Sequence, residues 1–258
     1  MKKTSFFYIT RMYFFSTRAH VHTITKTAEA LAARPELNFT LVSTDNDLAN
    51  GAARGGLSVE ACERFFASHS VRRPFTITSL NSWSNRLKKS SSRLVFYVGL
   101  ICDNITLIYF LWDNRRSIDI VYMRDQLLYP VAFFARHVIK KPLYFEAHFV
   151  LTQKFGQSVT ESIVRMSSGV VAITRTLVEY YTRLKSRTVL SFCAAAEPHV
   201  FDAIREDKPT PRTALGLPKD KIVLCYTGNM GKTGTGHSYG VEDVIAALPL
   251  LQIGRAHV

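Results

Sequence analysis

The chain has 258 residues, 47% hydrophobic and 21% charged, with a net charge of +13 from 33 basic and 20 acidic side chains. That balance excludes a disordered polyelectrolyte and leaves room for one large domain or two ordinary ones. The charge points to a polyanion or an anionic lipid surface, and the sequence has no zinc-finger or aromatic RNA-binding motif to suggest specific nucleic-acid recognition.

The N-terminal stretch MKKTSFFYITRMYFF reads as a first buried strand rather than a secretory signal, because Arg11 breaks its apolar part and no small-residue cleavage site follows. Strands are predicted at SFFYIT (5–10), NFTLVST (38–44), FTITSL (75–80), IDIVYMR (118–124), PLYFEAH (142–148), GVVAIT (169–174) and TVLSFC (188–193). Helical patterns fall between them, at 22–34, 59–69, 85–113, 127–139, 157–167 and 176–184, with Ile24, Ala28 and Leu31 marking one face of the first. Short strands alternating with helices predict a parallel sheet covered on both faces, an α/β fold with Rossmann-like winding.

The window 93–116 is apolar enough to suggest a membrane span, but Asp103-Asn104 stand in its middle. One aspartate at mid-bilayer costs about 2.5–3.5 kcal/mol. A core helix, or one lying on a membrane interface beside the basic clusters 84–93, Arg115-Arg116 and Lys140-Lys141, fits better than a spanning helix.

Beyond residue 205 the proline- and charge-rich run EDKPTPRTALGLPKDK reads as a linker over 206–220. KIVLCYTG then opens a second α/β unit over 221–252, of which one strand and one helix are present, so the chain is expected to stop mid-domain. The last six residues, 253–258, are expected to be a non-native tail. The loop YTGNMGKTGTGHSYG in this unit misses both common phosphate-binding templates. Gly231-Lys232-Thr233 lacks the upstream glycine of a Walker loop, and Gly234, Gly236 and Gly240 are spaced one residue too far apart for a dinucleotide fingerprint.

The cysteines, Cys62, Cys102, Cys193 and Cys225, are scattered, with no C-x-x-C pair and no histidines at zinc spacing. They fit a reducing compartment, the cytoplasm, and Cys102 and Cys225 are expected to fill cores.

Ligands of parallel α/β sheets bind beyond the carboxyl ends of the strands. The polar residues there are Arg11 and the loop to His20, then Arg124 and Asp125, Glu146 and His148, Thr174 and Arg175, and finally Asn229 and Lys232. Glu146 and His148 lie two apart and share a strand face, either as part of a site or as a hydrogen-bonded brace. Arg124-Asp125 suits a cap or ion pair as well as a cleft, and Thr174 or Thr176 suits a helix cap. Spacing alone assigns no catalytic triad, metal cluster or acid/base carboxylate pair.

Four segments, in order, resemble glycosyltransferase family 4, whose GT-B fold sets two Rossmann-like domains face to face. They are STRAHVHTITKTAEALA, DIVYMRDQLLYPVAFFARHVIKKPLYFEAHFV, SSGVVAITRTLVEYYTRL and IVLCYTGNMGKTGTGHSYGVEDVIAAL. The resemblance implies a retaining enzyme that moves a sugar from a nucleotide-sugar donor to a glycan or lipid-linked acceptor, with no bound metal. The diphosphate would be stabilised by cations and backbone N–H groups. It implies that His148 contacts the donor sugar and Glu146 precedes it in the site. Thr17 and Arg18 would border the diphosphate, Gly228, Asn229 and Lys232 would approach it from the donor domain, and His20, Arg124 and Asp125 would lie on the acceptor side. The chain departs from the family in lacking paired glycines in its first loop, and the glutamate-bearing donor motif is not within it. The 258-residue chain alone is therefore expected to be inactive. Cell-envelope glycan or glycolipid synthesis at the inner face of a membrane is the implied setting, and a non-catalytic α/β binding or scaffold protein peripheral at a membrane is the alternative.

Overall fold

Thr4–Thr10 (β1) lies at the centre of a seven-stranded sheet. A computed structural model describes residues 2–16, 19–45, 47, 57–86, 92–148, 150, 154–184, 188–190, 212–213, 215–218, 223, 225 and 241–247. The other strands are Leu37–Ser43 (β2), Thr76–Ser79 (β3), Ile120–Met123 (β4), Leu143–Ala147 (β5), Gly169–Ala172 (β6) and Thr188–Leu190 (β7). All neighbours pair in parallel, in the order β3-β2-β1-β4-β5-β6-β7. The order reverses between β1 and β4, and such a switch point opens a crevice at the carboxyl edge of a doubly wound sheet.

The strands are hydrophobic on both faces because helices cover both. Along β1, Phe6 and Tyr8 face one core, with Phe39, Leu41 and Phe65, and Phe7 and Ile9 face the other, with Val121, Met123 and Leu143. The first core is closed by Ala19–Ala32 (α1) and Val59–Ser68 (α2). The second is closed by Arg93–Asp113 (α3), Tyr129–Phe133 (α4), Lys154–Met166 (α5) and Arg175–Thr182 (α6). The α/β, Rossmann-like expectation holds for this unit, which runs from Met1 to Ala195. Ser58 and Thr174 cap α2 and α6 by accepting from the Ala61 and Leu177 N–H groups.

Two elements differ from the sequence expectation. The helix predicted over 85–113 begins at Arg93, preceded by a separate 3-10 turn, Trp83–Arg86. There the Asn85 side chain donates to the Thr44 carbonyl (2.9 Å) and the Ser84 hydroxyl to Asp103, tertiary bonds that hold a polar turn out of the helix. The segment 127–139 is also broken, into a 3-10 turn (Gln126–Leu128), α4 with Pro130 in its first turn, and a π turn (Phe134–Val138).

The second unit, Ala196–Val258, contains the helix Val241–Ala247 (α7), inside the 221–252 stretch expected to hold one helix. Inside the predicted linker, Gly216 takes a φ of 63°, and its N–H and that of Leu217 reach the Thr213 and Arg212 carbonyls at 3.2 and 2.8 Å, closing a helical turn. Of KIVLCYTG, only Val223 and Cys225 are described; both are exposed and lie outside any regular element. Cys225 is thus exposed rather than core filler, and Cys102 is half-buried on α3.

Candidate active site

Strand alternation places Tyr8, Tyr122 and Tyr144 on one face in register, and Glu146, two residues past Tyr144, on the same face. Glu146 is 4% exposed. A carboxyl this deep must be saturated with donors or lose its charge. Here the Tyr122 and Tyr8 hydroxyls donate to Oε2 at 2.7 and 3.2 Å, His148 Nε2 bonds Oε1, and the Arg124 guanidinium stands 4.0 Å from Oε1. Burial alone would raise the Glu146 pKa, but the hydrogen bonds from His148 and Tyr122 and the charge of Arg124 outweigh it and hold the carboxyl below its ordinary range. Burial first, then the Glu146 charge, pushes both tyrosine hydroxyls upward, so they remain donors.

An ionised Glu146 accepts, so the His148 Nε2 facing it carries a proton. The carboxylate therefore sets the ring's tautomer and orientation, the part buried acids play behind working histidines.

The crevice at the β1/β4 switch has a volume of ≈ 280 Å³ and is lined by Thr10, Arg11 and Met12 after β1, His20 and Ile24 of α1, and Arg124, Asp125 and Gln126 after β4. Arg124 braces it, donating to the His20 carbonyl at 3.5 Å while facing Glu146 behind. Arg11 is held on the other side by Asp103 of α3 at 2.8 Å. Asp125 accepts from the Leu127 N–H at 2.9 Å, and burial raises its carboxyl pKa against the pull of Arg11 and Arg124. With the first turn of α1 also on the rim, the crevice presents two guanidinium groups and a helix N-terminus, an environment suited to an anion or to sugar hydroxyls.

The loop from β1 is pinned from below. The Phe14 N–H donates to Asp45 (2.8 Å), the Ser43 hydroxyl to the Met12 carbonyl (2.9 Å), and Ser79 to the Asp45 carbonyl. The crevice edge is thus built by the ends of β1, β2 and β3 together.

Of the residues expected from sequence, His20, Arg124 and Asp125 meet in the crevice, and buried Glu146 pairs with half-buried His148 and is joined to the crevice through Arg124. Thr17, Arg18, Gly228, Asn229 and Lys232 lie outside the described residues. Tyr8, Tyr122 and Gln126 were not anticipated. Strand tyrosines in register with one another were the available signal, but it requires knowing which strands pair. Among the described residues, no three His, Cys, Asp or Glu side chains cluster as metal ligands.

No family model matches the chain, and no curated protein is significantly similar to it in sequence. Solved structures do match its fold. Sucrose-phosphate synthase from Thermosynechococcus elongatus superposes with a TM-score of 0.65 at 13% identity, covering 97% of this chain and 60% of that one. A glycosyltransferase from Rickettsia africae aligns with a TM-score of 0.49 at 12% identity (85% of this chain, 51% of that one). HepE of Anabaena, solved with UDP and glucose, aligns at 0.45 and 13% (83% and 50%). The chain thus spans about 60% of the length of the sucrose-phosphate synthase it matches. Its fold is α/β and Rossmann-like, as found in GT-B glycosyltransferases.

Proposed function

We propose that the protein is a glycosyltransferase that moves a sugar from a nucleotide-sugar donor to a hydroxyl acceptor with retention of configuration and without a bound metal, in cell-envelope glycan or glycolipid synthesis. The observation that carries this reading is the switch-point crevice, which Arg11 and Arg124 line together with His20 of α1, and behind which a buried carboxylate orients His148. In the transfer, the bond from the anomeric carbon to the diphosphate oxygen breaks and one to the acceptor oxygen forms. The acceptor proton leaves with the diphosphate. Guanidinium groups favour the charge that develops on that leaving group, and His148 with its tautomer set serves as a polar contact to the sugar. Glu146, saturated by its donors, is a positioning residue. The transfer itself is proposed for the whole protein.

The test is a transfer assay on the whole protein with UDP-, GDP- and ADP-sugars, reading the anomeric configuration of the product by NMR. Arg124→Ala and His148→Ala are each expected to lower kcat by about 100-fold or more. Glu146→Gln is expected to lower kcat by about tenfold and to shift the pH profile, because it frees the histidine tautomer. Binding of no nucleotide sugar, or a product of inverted configuration, would sink the reading.

A further inference from the structure

Helix α3 is oriented with its polar residues inward. Gly99, Asp103, Asn104, Leu107 and Leu111 form its buried face. Asp103 pairs with Arg11 and accepts from Ser84, and Asn104 donates to the Leu100 and Leu127 carbonyls. The opposite face carries Leu94, Tyr97, Ile101, Ile105, Tyr109 and Trp112, all exposed, at successive steps of three or four residues. Ile105 is 62% exposed and Tyr109 71%. Phe133 and Val138, on the neighbouring α4 and π turn, are exposed as well. A continuous apolar stripe about 30 Å long is far more than the scattered surface leucines of an ordinary soluble domain.

The charges around the stripe identify its occupant. Exposed Arg93 stands at one end of α3 and exposed Arg116 just past the other, and Arg136, His137 and Lys140 are exposed next to Phe133 and Val138. Asp113 is the exposed acid of the helix, and no acidic residue occurs between Gln126 and Phe145. A second copy of the chain would bring the same cations against each other. An anionic bilayer surface complements both features, because it takes apolar side chains at the headgroup boundary and attracts the flanking cations. The helix is long and apolar enough to cross a membrane, but its inner face is tied to the protein by Asp103, Asn104, Leu107 and Leu111. Lipid can therefore meet only its outer side.

We infer that the outward face of α3, with Phe133 and Val138, docks the protein onto an anionic phospholipid surface. Docking places the crevice beside the membrane. Arg11, which lines the crevice, pairs with Asp103 from the inner face of the same helix, and its guanidinium lies 5.7 Å from the Phe96 ring centroid. The inference does not depend on the transferase reading, since it rests on the surface of α3 alone.

The test is flotation of the 258-residue chain with vesicles of phosphatidylcholine alone and of phosphatidylcholine with phosphatidylglycerol, over a salt titration. The chain is expected to float with the anionic vesicles and to lose most of that binding as salt rises. Ile101→Ser/Ile105→Ser is expected to weaken partitioning at least tenfold, and each neutralisation, Arg136→Gln or Lys140→Gln, by about fivefold. Val59→Ser, an exposed apolar residue on α2 away from the stripe, serves as the control and is expected to float like the parent. Circular dichroism of each variant confirms that it folds. Equal recovery on both vesicle types, an unchanged Ile101→Ser/Ile105→Ser variant, or a solution dimer abolished by that variant would each overturn the inference. Nucleotide-sugar binding measured on the same samples separates this failure from failure of the transferase reading.

Discussion

Helices α1 and α3 cover opposite faces of the same sheet and are built in opposite senses. In α1 the inward face is Val21, Ile24, Thr25 and Ala28, and His22 points to solvent, as expected of a helix on a water-soluble core. In α3 a charged residue and an amide face the protein beside Leu107 and Leu111, while Ile101, Ile105 and Tyr109 face away. Both present a helical stripe, so periodicity tells that there are two faces without telling which is inside. The sign is set by what waits on the sheet. Beneath α1 lies the aromatic cluster of Phe6, Tyr8 and Phe65, and against the middle of α3 lie Arg11 and Ser84, which only a polar face can satisfy.

The comparison is most sharply tested by placing one charge on each helix. Ile24→Asp, at a residue 1% exposed, is expected to cost about 4 kcal/mol or to prevent folding. Ile105→Asp should change stability by no more than about 0.5 kcal/mol, since its side chain already faces out. Urea denaturation of both reads the difference, and comparable losses would break the assignment of the faces.

The inward polar face of α3 is tested next. Arg11→Ala leaves Asp103, 3% exposed, without its cation and is expected to cost about 3 kcal/mol. The double change Arg11→Met/Asp103→Leu removes both charges and is expected to recover most of that loss. A single variant as stable as the parent would show that the pair does not hold the helix.

Glu146→Gln is expected to cost about 2 kcal/mol near neutral pH, because one amide oxygen replaces two that take three donors. The sign of its pH dependence follows from a carboxyl depressed in the folded state. The contribution is fully present above the ordinary value of 4.5 and is lost as pH falls through the lower folded value. The gap between parent and variant should therefore narrow in acid, and a gap that widens there would contradict an ionised, hydrogen-bonded Glu146. The smallest effect is expected at the cap of α6, where Thr174→Ala removes the bond to the Leu177 N–H and should cost about 1 kcal/mol by thermal or urea unfolding.

Much of the first unit was legible in the sequence. Every strand from β1 to β6 falls within two residues of its expected start, because β-branched and aromatic runs bounded by turn residues leave few alternatives. The pairing of Glu146 with His148 was also visible, since residues two apart on a strand share a face. The hydroxyls of Tyr8 and Tyr122 on Glu146 were not, because 138 and 24 residues separate the partners and only strand order brings them together. The break before α3 was hidden for a similar reason, as Asn85 and Ser84 are drawn out of the helix by Thr44 and Asp103.

The sequence by itself determined which segments are strands and helices, their alternation, and hence a parallel α/β sheet with polar residues at its carboxyl edge. These depend on local propensity and period, which neighbours along the chain set. Only the tertiary structure sets the strand order that opens the crevice between β1 and β4, the tyrosine donors on Glu146, and the turning of Asp103 and Asn104 of α3 inward beside Leu107 and Leu111. Each depends on contacts between distant residues, where burying a charge unpaired costs more than leaving isoleucines exposed.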